Sequence, residues 1–161
     1  MISKESIIKK IQKEISSQNY SEAIKLIEKN KRDLIEIDYW YYLSLCSRYS
    51  KKYNEALVIL NNVIKIDPSY ARAYQEFGHN YFKLNDYKMS LKSYLRAVRY
   101  NPTLHASWLG ILGIKNVEQN IIDLATQDVL YLKNLPPELK SVSSFISVSY
   151  THLTLPTSVT V

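Results

Sequence analysis

The chain has 161 residues, with 21 Lys and Arg against 15 Asp and Glu for a net charge of +6, which is room for one domain or a short repeat array and excludes two large catalytic domains. With 46% apolar and 22% charged residues the composition is that of a globular chain, not of a disordered tail or a fibre. Three glycines leave few places for positive φ and argue against a glycine-rich phosphate cradle; one cysteine, Cys46, excludes an internal disulfide; and no apolar run approaches the ~20 residues of a membrane span. A soluble, cytoplasmic chain is the default expectation.

Pro68, Pro102 and Pro136 stand 34 residues apart, and sliding the chain by that interval superposes Trp40, Tyr74 and Trp108, then Leu43, Phe77 and Ile111. Taken in chain order, residues 1–36 place Ile7, Ile8, Ile11 and Ile15 on one helix face and Tyr20, Ala23 and Ile27 on a second, so they form a divergent opening unit. Residues 37–70 pair a helix carrying Trp40, Leu43 and Ser47 with one carrying Tyr53, Ala56, Leu57, Leu60, Val63 and Ile64. In residues 71–104 the same places hold Tyr74, Phe77, Gly78 and Tyr81, then Ser90, Tyr94 and Ala97. Gly78 falls where the first helix approaches its partner, so the missing Cβ predicts a close contact. Residues 105–138 keep Trp108, Ile111 and Pro136 but carry Leu112, Lys115 and Asp128 at the places of Gly, Tyr and the second-helix aromatic, which predicts a degenerate unit. Polar breaks at 50–52 and 84–86 divide the helices of a pair. Asp67-Pro68-Ser69 and Asn101-Pro102-Thr103 end the second helices, with Ser69 and Thr103 as candidate N-caps for the next.

This pattern resembles the tetratricopeptide repeat, whose 34-residue signature is aromatic, Leu-Gly, Tyr, small residue, aromatic and closing proline; residues 71–104 depart from it by Phe77 for Leu and Ser90 for Ala, and residues 37–70 by Ser44 and Ser47 for Gly and Tyr. The resemblance implies an all-α fold, a right-handed solenoid of three to four antiparallel helix pairs. It implies a concave surface of first helices that binds a protein or peptide, and it places Tyr41, Arg48, Tyr49, Arg72, Gln75, His79, Phe82 and Lys83 there, with Asp38, Leu45 and Leu109 beside them. Such a face is aromatic and basic, suited to an extended peptide bearing acidic groups or to packing on a neighbouring domain. Family members that clamp chaperone tails use Lys and Asn where this chain has Tyr41, Leu45, Gln75 and His79. No catalytic, metal or cofactor motif is present, so no enzyme activity is expected of this chain. His79 is a groove residue or an ordinary helical histidine, and Cys46 reads as a small core residue.

Residues 71–104 hold six cations against two acids, with Lys88, Lys92, Arg96 and Arg99 along one stripe of the second helix. The stripe reads as a solvated convex face; nucleic-acid binding is the less favoured reading. The run 94–108 with Leu135-Pro136-Pro137-Glu138-Leu139 and Ser143-Ser144-Phe145 also resembles the N-terminal repeat arm of bacterial tetratricopeptide-containing sulfotransferases, which implies an accessory arm of a larger enzyme as the alternative to a free-standing adaptor. Residues 139–146 read as the start of a further helix. Residues 147–161 abandon the composition of the rest, and Val148 to Thr157 resembles a translated sequencing-library adapter, so the native sequence is expected to end near Ile146, the natural protein to continue, and the uncapped end to favour self-association.

Overall fold

A computed structural model describes residues 3–114, apart from the side chain of Leu112. The second helix expected within 105–138, the helix start at 139–146, the tail 147–161 and the sulfotransferase-like segment 135–145 all lie outside the described residues. Among the described residues seven α-helices follow in order: α1 Lys4–Ser16, α2 Tyr20–Lys29, α3 Glu36–Tyr49, α4 Tyr53–Ile66, α5 Ala71–Lys83, α6 Tyr87–Tyr100 and α7 His105–Gly113. Each packs on the next in sequence, while α3 with α5 and α5 with α7 also touch, so the first helices form one layer and the second helices another. The fold is an all-α solenoid of antiparallel helix pairs. Among the described residues no helix is long and apolar enough to cross a membrane.

Most of the superposable positions are buried, Tyr74, Trp108, Phe77 and Ile111 among them, while Trp40 and Leu43 are half-buried. Ile7, Ile11, Ala23 and Ile27 close the opening pair, and Ala56, Leu60 and Val63 of α4 and Ala97 of α6 are fully covered. Each Leu or Ile so buried contributes roughly 1.5–3 kcal/mol relative to exposure. The hydroxyls that enter this core are answered locally: Ser44 donates to the Tyr41 carbonyl at 2.6 Å and Ser90 to the Gly78 carbonyl at 2.7 Å.

Glycine scarcity does not keep the chain out of the left-handed region. Gln18, Lys51 and Asn85 adopt φ of 62°, 62° and 61°, and no described glycine has positive φ. Each closes a first helix in the same way: the N–H of Lys51 reaches the Arg48 carbonyl and that of Lys52 the Ser47 carbonyl, and residues 18–19 and 85–86 repeat the pattern. The turn between first and second helix therefore recurs with every pair.

The proline turns differ from expectation too. Ser69 and Thr103 do not cap α5 and α7, whose N-cap residues are Tyr70 and Leu104. Their backbone and hydroxyl groups instead donate to the Asp67 carboxylate and the Asn101 amide oxygen, folding the turn around residues that end the preceding helix. The signature aromatic of the following helix then ties the turn down. Tyr74 donates its hydroxyl to the Pro68 carbonyl at 2.6 Å, and Trp108 its indole N–H to the Pro102 carbonyl at 2.9 Å.

Candidate functional site

A cleft of about 410 Å³ opens between the first helices of the opening pairs. Gln12, Ile15 and Ser16 of α1, with Gln18 at the following turn and Tyr20 at the start of α2, form one side; Tyr41, Tyr42, Leu45 and Tyr49 of α3 form the other; Arg72 of α5 closes the end. The spacing of Tyr41, Leu45 and Tyr49 at four residues puts these three on one helix face. Tyr49 is 43% exposed, yet its ring is held parallel to that of Tyr20 at 5.6 Å, and the Arg48 guanidinium lies 4.3 Å from its centroid. Tyr42 accepts a hydrogen bond from the Gln12 amide at 3.0 Å, joining α3 to α1, and Lys4 and Asp38 form a second link at 3.1 Å. Burial raises the Tyr41 and Tyr42 phenols above their ordinary value and keeps both hydroxyls protonated; Arg72 pulls in the opposite direction.

Of the eight groove residues expected from the sequence, the cleft brings together Tyr41, Tyr49 and Arg72. Arg48 turns to the next helix pair, where its guanidinium grips the buried Glu76 of α5 with both donors, one at 3.2 Å. Burial raises the Glu76 carboxyl, with Arg48 opposing. The positive charge expected of Arg48 is therefore spent inside the array. Gln75 accepts from Ser107 of α7 at 2.8 Å. His79 is half-buried, with Nδ1 2.6 Å from the Tyr94 hydroxyl. Burial, helped by Arg48, lowers it to about 4, so it is neutral at pH 7. Phe82 and Lys83, in the last turn of α5, do not line the cleft; Phe82 packs edge-on against Tyr87 at 5.4 Å, and Lys83 is exposed.

The opening pair supplies the part of the cleft that sequence reasoning missed. A signal was there: at an offset of 33 Gln12 falls on Leu45, and a further 34 brings His79. Cys46 is fully buried, and burial pushes its thiol up to about 11. In the basic stripe, Arg96 lies 5.0 Å over the Tyr74 ring and Lys92 is half-buried. Among the described residues no three His, Cys, Asp or Glu side chains converge into a metal-ligating group.

Stacked helix hairpins on a fixed period, with polar and aromatic side chains lining a cleft between first helices, define a helical-repeat protein. Residues 71–104, spanning α5 and α6, match the tetratricopeptide repeat family model. The chain is also similar to anaphase-promoting complex subunit 3 of Schizosaccharomyces pombe, at 29% identity over 72 residues, 45% of this chain. It spans only 11% of that relative's length. The chain is thus similar to tetratricopeptide-repeat proteins, with residues 71–104 carrying the family match.

Proposed function

We propose that this chain is a non-catalytic protein-interaction scaffold that holds an extended segment of a partner polypeptide along the surface made by α1, α3, α5 and α7. The repeats are read as an opening pair at 1–36, repeats at 37–70 and 71–104, and a degenerate unit from 105 to 138. The observation that carries the reading is the cleft between α1, α3 and α5, where exposed aromatic area and side-chain donors stand on rigid helices. Tyr and Arg suit such a role because each combines contact area with directional donors. The similar protein from Schizosaccharomyces pombe bears the name of a subunit of a complex, which supports a role in assembly.

Selection of a random peptide library on the intact chain, followed by fluorescence anisotropy with a selected peptide, tests the proposal. Tyr49→Ala in the cleft is expected to weaken binding about tenfold, and Val58→Asp on α4, where Val58 is 67% exposed, to leave it within about twofold. Binding lost with the α4 variant and kept with the cleft variant would overturn the groove assignment.

A further inference from the structure

We infer that the cleft between α1, α3 and α5 takes an acidic side chain, Asp or Glu, adjoining an apolar one in the partner segment, with Arg72 and the hydroxyls of Tyr41 and Tyr42 as donors to the carboxylate. This rests on the groove reading above and narrows it to one ligand chemistry.

Arg72 is the only charged residue among those that line the cleft; none is acidic. It is exposed and forms no ion pair among the described residues. The acids that act on the Tyr42 and Tyr41 phenols are already engaged, Asp38 by Lys4 and Glu76 by Arg48. The cleft is thus electrostatically incomplete: one guanidinium beside water-excluding tyrosines, with its counter-charge yet to arrive. The Tyr42 oxygen accepts from Gln12, which leaves its own proton to be given away, and the Tyr41 ring is 7% exposed, so its place is fixed before a ligand enters.

A single guanidinium with neutral hydroxyl donors matches one negative charge. A phosphate group carries nearly two and gains most from several cations, so the carboxylate is the better fit. The apolar neighbour follows from the apolar lining on both sides, where Leu45, Ile15 and the stacked Tyr20–Tyr49 pair present area with little freedom left to lose. At about 410 Å³ the space suits a pair of side chains.

The experiment uses the intact chain and a peptide selected on it, synthesised with its acidic residue retained, changed to the amide, or replaced by phosphoserine. On the wild type, the change from acid to amide is expected to weaken binding about tenfold or more. On Arg72→Gln the same change should alter binding less than twofold, and Tyr49→Ala should weaken the acid and amide peptides alike. An acid preference that survives Arg72→Gln, or a phosphoserine peptide that outbinds the acid, overturns the inference and leaves the groove standing. Failure to select any peptide would instead overturn the groove reading itself, and this inference with it.

Discussion

The Tyr94 ring is confined by two glycines on different helices. A Cβ on Gly78 of α5 would stand 2.5 Å from its Cδ1 and Cε1, and one on Gly110 of α7 would stand 2.4 Å from Cε2. The ring therefore passes between two first helices to reach His79, and each glycine is there for want of space. An exposed mid-helix Gly→Ala ordinarily stabilises by up to about 1 kcal/mol. Here Gly78→Ala and Gly110→Ala are expected to destabilise by about 1–3 kcal/mol through overpacking. Gly113, whose Cβ would meet nothing within 4 Å, should tolerate Ala without loss. Urea denaturation of the three variants checks the contrast. The first contact was legible because Gly78 sits at the signature place. Gly110 was not, since the period of 34 assigns that place to Leu112. Internal comparison shows the same coupling: one repeat earlier the pair at these positions is Ser44 and Leu60, a smaller ring-free side chain opposite a residue with a Cβ.

For single elements, most of the helices could be read in advance because prolines and apolar spacing report directly on backbone geometry. How a helix closes could not. Gln18 and Lys51 do not advertise a left-handed conformation; the tertiary packing of the two helices imposes it on whatever residue stands there. A side chain with a Cβ costs about 1–2 kcal/mol in that region, partly offset by the entropy a glycine loses on folding. Lys51→Gly and Gln18→Gly are expected to raise stability by about 0.5–1 kcal/mol, and Asn85→Gly by less, because Asn accepts this conformation more readily. Thermal unfolding midpoints in that order check the assignment; a fall at Lys51 would contradict it. Ser69 and Thr103 were misjudged for a related reason: a hydroxyl beside a proline serves a helix start or a helix end equally well, and Asp67 and Asn101 decide the matter.

Across the whole molecule, neighbouring pairs are joined by a charge as well as by apolar contact. Arg48 and Glu76 lie 28 residues apart on separate helices, and Glu76 is 3% exposed. Neither residue announces its partner in the sequence, because the direction of a side chain across a repeat interface depends on a packing angle that no local pattern encodes. Removing one member strands the other charge, so Arg48→Leu is expected to cost about 3 kcal/mol or more, whereas Arg48→Leu with Glu76→Leu should recover most of that loss. A double-mutant cycle by chemical denaturation measures the coupling; additive effects would show that the pair is incidental. The same contact explains why the groove is less basic than its composition suggested. One of its arginines is structural, and the cation left over belongs to α5.

The bonds from Tyr74 to Pro68 and from Trp108 to Pro102 reach back only six residues. Each hinge between units thus brings its own latch, supplied by the helix that comes after it and borrowing nothing from distant parts of the chain. Such hinges can be multiplied without being redesigned, which is how a chain with one short rule of assembly grows in length while its contact surface diversifies.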